Sequence, residues 1–146
     1  MAAFSNDEDL LRYRPSALDH GIEELSDLHE EAHDLIVEAL EANWFRDQAL
    51  SHGLNPDLTA MDETRLETSR LRRLSCYKVL ELLYLRLMKV TPQEDGFSRL
   101  KTEFGKEYDR EMQKLMTQGL GYDWNYGGAI TQDEKFTPQL RRLRRC

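Results

Sequence analysis

Leu74-Ser75-Cys76-Tyr77-Lys78-Val79-Leu80-Glu81-Leu82-Leu83-Tyr84-Leu85-Arg86-Leu87-Met88-Lys89-Val90 decides the fold. From Val79 onward this run is apolar nearly all the way round a helix. Such a helix must be surrounded, either by the rest of its own chain or by a subunit contact. Leu66, Leu74, Tyr77, Leu80, Tyr84 and Leu87 share one face, so the spacing predicts a long helix from about Met61 to Val90. Thr91-Pro92-Gln93 ends it.

The flanking sequence supplies the cover. Upstream, Ile22, Leu25, Leu28, Ala32, Leu35, Ile36, Ala39 and Leu40 recur every three or four residues. They predict an amphipathic helix from about Ala17 or Asp19 to Leu50, stopped by His52-Gly53 and Asn55-Pro56. Trp44-Phe45 closes it as core. Downstream, Phe97, Leu100, Phe104, Tyr108, Met112 and Leu115 form the inner face of a third long helix, about Asp95 to Gln118, with Gly119 as its stop. Ser5-Asn6-Asp7-Glu8 has capping-box spacing and predicts a short helix from about Asn6 to Arg12. Pro15 breaks it.

After Gly119 the pattern changes. Gly121-Tyr122-Asp123-Trp124-Asn125-Tyr126-Gly127-Gly128-Ala129-Ile130-Thr131 is aromatic and Gly-rich, without helical period. It predicts two extended pieces around Gly127-Gly128, a small hairpin that must pack on the body or on another chain. The expectation is therefore an all-α protein. A domain of three long helices plus a short N-terminal one spans 1–119, and an extended arm with a basic tail spans 120–146.

At 146 residues the chain suits one domain. It has no apolar run of membrane-spanning length, and its acidic N-terminus lacks an apolar signal region. Two cysteines make neither a disulfide framework nor a four-ligand zinc site. Cys76 reads as a buried small hydrophobe and Cys146 as an idle thiol. Together these features predict a protein made in a reducing cytosol. Net charge is −7, unevenly spread. Residues 1–64 hold 16 acids against 3 bases, whereas residues 65–92 hold 7 bases against 2 acids. Such asymmetry implies complementary surfaces, within the fold or between copies. The acidity argues against a dedicated DNA binder, which would show a basic face.

One motif carries chemistry. His29-Glu30-Glu31-Ala32-His33 fits H-E-x-x-H, which on a helix sets two imidazoles one turn apart for zinc, with Glu30 as general base. Against this, Glu31 stands where zincins want an uncharged residue, and Ile36 stands where the extended motif wants Gly. No sheet flanks the helix. A third ligand would have to come from Glu38, Glu41 or His52, with nothing to choose between them. The other reading is two solvent-facing or edge histidines on an acidic helix. The expectation is no cofactor and no catalytic residue, with a small zinc hydrolase using His29, Glu30 and His33 as the rival. A second rival is a helical binding module whose Arg tail touches nucleic acid.

Trp124 and Tyr126 read either as interface anchors or as core, and Arg141, Arg142, Arg144 and Arg145 around Leu143 either as a docking or phosphate-contacting tail or as a frayed solubilising one. With Phe136 they form the expected partner-binding set. Arg70, Arg72 and Arg73 of one copy against Glu30 and Glu31 of the next are the expected inter-subunit contact.

The opening Phe4-Ser5-Asn6-Asp7-Glu8-Asp9-Leu10-Leu11-Arg12-Tyr13-Arg14-Pro15, the long helices and the stretch Tyr122-Asp123-Trp124-Asn125 resemble the head–tail connector (adaptor) proteins of tailed bacteriophages. The likeness is architectural and spans most of the chain. It implies a non-enzymatic virion protein, synthesised in the host bacterial cytoplasm. It further implies a homo-oligomeric ring, usually of twelve copies, under the portal protein. DNA would pass through the lumen with transient, non-specific contact, and a further tail or collar protein would dock below. The arm, here Trp124 through Cys146, would reach onto the portal.

Overall fold

The computed structural model describes residues 3–15, 25–90 and 95–124. Of these, 75% are helical, and none belongs to a strand. In chain order the elements are α1 (Asp7–Tyr13), α2 (Ser26–Leu40), a π-helical turn (Glu41–Phe45), α3 (Arg46–Ser51), α4 (Arg72–Val90) and α5 (Asp95–Gln118). Two short 3-10 turns, Glu63–Arg65 and Thr68–Arg70, precede α4.

The helix α4 takes the central place. It packs against α5, α2 and α1. Val79, Leu80, Leu83 and Tyr84 lose all solvent contact. Each such side chain contributes about 1.5–3 kcal/mol of transfer free energy. They join Leu10 of α1, Leu25 just before α2, and Leu28 and Ala32 of α2, while Phe97, Leu100 and Phe104 of α5 close the side. Tyr84 stacks between Phe97 and Phe104, with ring centroids 5.9 Å from each. A second cluster lies at the other end, where Ile36, Leu40, Trp44 and Phe45 meet Leu71, Leu74, Tyr108 and Leu115. The predicted inner face of α5 is the face that packs.

Three expectations are corrected. The helix predicted from Met61 begins only at Arg72. Before it the chain forms the two 3-10 turns, with Asp62 capping the first by accepting from Thr64 N. Between the turns, Leu66 makes an antiparallel bridge to Tyr122. Glu67 N donates to Gly121 O at 2.9 Å and Asp123 N to Arg65 O at 3.0 Å. This long-range pairing satisfies backbone groups that a helix would otherwise have used. Second, the long first helix is widened at Glu41–Phe45, and the looser turn lets successive bulky residues, Trp44 and Phe45, both face the core. Its expected start around Ala17 or Asp19, with Ile22, lies outside the described residues. Third, α1 is capped one residue later than expected. The Asn6 side chain accepts from Asp9 N, and the Asp9 carboxylate accepts from Asn6 N. Ser5 is released for another role.

The predicted stops at Gly53 and Gly119 both adopt positive φ, 77° and 89°. Gly119 ends α5, and there Arg70 donates to Gly119 O at 2.8 Å and to Gln118 Oε1 at 2.7 Å. A cation at a helix C-terminus is favourable on dipole grounds as well.

Leu83→Ala should lower unfolding free energy by about 2–5 kcal/mol, the cost of a cavity at a fully buried leucine. Exposed Lys106→Gln on α5 should change it by less than about 0.5 kcal/mol. Urea unfolding followed by helical circular dichroism checks both.

Candidate functional site

The H-E-x-x-H residues lie on α2, and the chain turns both imidazoles inward. His29 and His33 are only 3% and 6% exposed, which overturns the solvent-facing alternative. Their surroundings differ. His29 Nε2 donates to Asp7 Oδ1 at 3.0 Å. Its Nδ1 then accepts from the Ser5 hydroxyl at 2.8 Å, and Ser75 of α4 donates to Ser5 Oγ at 2.7 Å. One proton on Nε2 satisfies the whole chain of bonds. His33 lies between two carboxylates, with Nδ1 3.2 Å from Asp34 and Nε2 on Glu63. The Phe4 ring covers it at 4.7 Å.

The two imidazoles are thus engaged by separate partners and do not converge. Among the described residues, no three His, Cys, Asp or Glu side chains gather as metal ligands would. Of the third-ligand candidates, Glu38 and Glu41 are on the exposed face of their helical run. His52 holds the Gln48 carbonyl at 2.8 Å and stacks flat on Trp124 at 4.5 Å. Glu30 is half-buried beside His29 and borders a cleft of about 240 Å³ with Ser5 and Asp7. Ser5, His29 and Asp7 are the residue types of a nucleophile–base–carboxylate relay. Ser5 is buried, however, and its oxygen is shared between His29 and Ser75. The network therefore works as a clasp: it fixes residues 3–15 on α2 and α4. Arg14 Nε donating to the Tyr84 hydroxyl at 3.0 Å and Arg73 over the Tyr13 ring at 6.0 Å tighten the same contact.

The expected inter-subunit arginines face their own chain. Arg70 caps α5, Arg72 lies 3.8 Å from Asp9, and Arg73 covers Tyr13. Asp27 and Arg86 pair at 3.1 Å. The acidic and basic stretches therefore meet within the fold at these positions. Glu31 stays exposed near Arg86 and Lys89, beside a small groove on α4. Trp124, expected at a partner surface, is corrected to the core. It is 6% exposed and stacks on Phe45 at 5.5 Å, because the Leu66–Tyr122 bridge pulls residues 120–124 onto the body. Tyr126, Phe136, Arg141, Arg142, Leu143, Arg144 and Arg145, with the Gly127-Gly128 hairpin, lie outside the described residues.

Ser5, Asp7, Glu63 and Ser75 were not singled out by sequence reasoning. Ser5, Asp7 and Glu63 reach the histidines across 22 to 30 residues of chain, and Ser75 reaches Ser5 across 70; no local pattern carries that information. No protein-family model, curated protein or solved structure matches the chain. No helix among the described residues is long and apolar enough to cross a membrane.

Burial pushes the Cys76 thiol up to about 11, against a smaller downward pull from the Ser5 hydrogen bond. Burial, with Asp109 and Glu81 nearby, pushes Tyr108 up to about 12. Both groups ionise earlier in the unfolded chain. Their stabilising contribution is complete below the unfolded values and is lost as pH rises through the folded ones. Stability should therefore fall from about pH 9 to 12, and Cys76→Ala should flatten the lower part of that fall, about pH 9 to 11, in a urea-unfolding series against pH. His29→Ala should cost about 1–3 kcal/mol by stranding Asp7 and Ser5. It should also open the Arg12–Tyr13 bond to trypsin in timed digests.

Proposed function

We propose that the chain is a non-catalytic assembly subunit, a head–tail connector of a tailed-phage virion. In this reading it forms a ring beneath a portal, with DNA passing through the lumen. Three long helices form the body, and residues 120–146 form the arm, with 120–124 held on the body. The observation that carries the reading is the fate of the sharpest chemical motif. Both imidazoles of His29-Glu30-Glu31-Ala32-His33 serve to fix segments of their own chain, through Asp7 and Ser5 on one side and Glu63 and Asp34 on the other. A scaffold that spends its histidines on holding segments in place suits assembly better than hydrolysis.

Two further features support it. Residues 120–124 are anchored by two backbone hydrogen bonds and by Tyr122 OH accepting from Asp62 N at 3.0 Å. An arm that follows has a firm root from which to reach a partner. The exposed acids of α2 and the turn after it, Asp34, Glu38 and Glu41, leave one negative face. A negative lumen keeps DNA from adhering as it passes. In the ring, Glu30 and Glu31 would face basic residues of the next copy. The tail residues Arg141 to Arg145 would meet the portal.

Native mass spectrometry of the purified chain over a concentration series, with and without chelator, tests this. The expected result is a closed ring of many copies at high concentration, with a mass unchanged by chelator. One chelator-removable zinc per chain, lost in a His33→Ala variant, would overturn it in favour of the hydrolase.

A further inference from the structure

We propose that His33 is a proton-operated latch on the root of the C-terminal segment. As the imidazolium it holds Glu63 against α2, and with it the turn that seats residues 121–123. On losing its proton it lets that turn loosen. The hydrogen count of the site carries this. His33 is 6% exposed. Its Nδ1 lies 3.2 Å from Asp34 Oδ1, and its Nε2 is on Glu63 Oε2. An ionised carboxylate only accepts, and a neutral imidazole has a single N–H. Both contacts are therefore satisfied only when both nitrogens carry hydrogen. His29, one turn earlier on α2, differs. Its second partner is the Ser5 hydroxyl, which donates, so a neutral ring satisfies that site. Of the two imidazoles, only His33 depends on the extra proton.

The charged groups that face His33 come from three elements. Asp34 stands beside it on α2, and Glu63 faces it from the 3-10 turn Glu63–Arg65. Arg72, at the start of α4, lines the same cleft of about 560 Å³ and lies 3.8 Å from Asp9. The N-terminal segment brings Ala3 and Phe4 to this cleft, and neither carries a side-chain charge. Glu30, three residues earlier on α2, borders the other cleft with Ser5 and Asp7. When the proton leaves, one nitrogen turns a lone pair to a carboxylate, and the charge attraction to both carboxylates is gone. The turn that begins at Glu63 carries the effect onward. Arg65 O accepts from Asp123 N at 3.0 Å, Glu67 N donates to Gly121 O at 2.9 Å, and Asp62 N donates to the Tyr122 hydroxyl at 3.0 Å. These bonds seat Trp124 on Phe45. The latch is closed at low pH. It opens as pH rises through the range in which histidine loses its charge, about pH 5 to 8. It does not depend on the chain being a virion component.

Amide hydrogen exchange of the full chain at about pH 5.5 and about pH 8.5, corrected for the intrinsic pH dependence of exchange, tests this. Protection of peptides spanning 62–67 and 120–124 should fall about fivefold at the higher pH, the difference between a charge-assisted and a neutral hydrogen bond. Peptides of α4 and α5 should keep their protection. Glu63→Gln should abolish the fall, because its amide group supplies the hydrogen that the neutral ring lacks. Asp34→Asn, at an exposed carboxylate, should do the same from the other nitrogen, and it serves as the test where Glu63→Gln does not fold. Equal protection at the two pH values in the native chain would overturn the proposal. A fall that survives undiminished in either folded variant would overturn it too.

Discussion

Everything in this fold follows from the burial that α4 demands. A helix with leucine, valine or tyrosine on most sides has only a narrow strip, here Arg72, Arg73, Arg86 and Lys89, to give to water. The chain meets that demand with three different covers. The α5 helix lies along one side, α2 along another, and α1 with its flanking residues fills the gap between them. Each cover is amphipathic, and each spends its one apolar stripe on α4. The polar faces that remain carry the charge.

The covers alone would leave the two ends of the described chain loose. Two long-range contacts close them. At the N-terminal end, Ser5, Asp7 and Arg14 tie α1 to His29, Ser75 and Tyr84. At the other end, the short pairing of residues 65–67 with 121–123 draws Tyr122 and Trp124 against Trp44 and Phe45. The first contact is polar and the second mainly aromatic. Both sit where an apolar stripe runs out, which is where additional fixing is needed.

Helical periodicity made α2, α4 and α5 legible, because 3.6-residue spacing is a local property. It also gave the inner face of α5 and the stops at Gly53 and Gly119. It failed between Met61 and Leu71, where Met61, Leu66 and Leu71 are buried but held by turns and by a partner 56 residues away. Buried spacing alone does not distinguish a helix from a bridged turn. The histidines show the same limit. Their one-turn separation was legible, whereas Asp7, Ser5 and Glu63 come from elements that only the tertiary fold brings near. Trp124 was misplaced for a related reason: an aromatic in a Gly-rich stretch looks like an interface anchor until a backbone pairing draws it into the core.

The account rests on α4 being the last element to lose its cover. Hydrogen exchange of the native chain, read by mass spectrometry on peptides spanning residues 74–87, tests that directly. The account predicts that these amides exchange slowest, and only through global unfolding, with a free energy equal to that from denaturant titration. Exchange of these amides while α5 and the residues around Ser5 remain protected would contradict it.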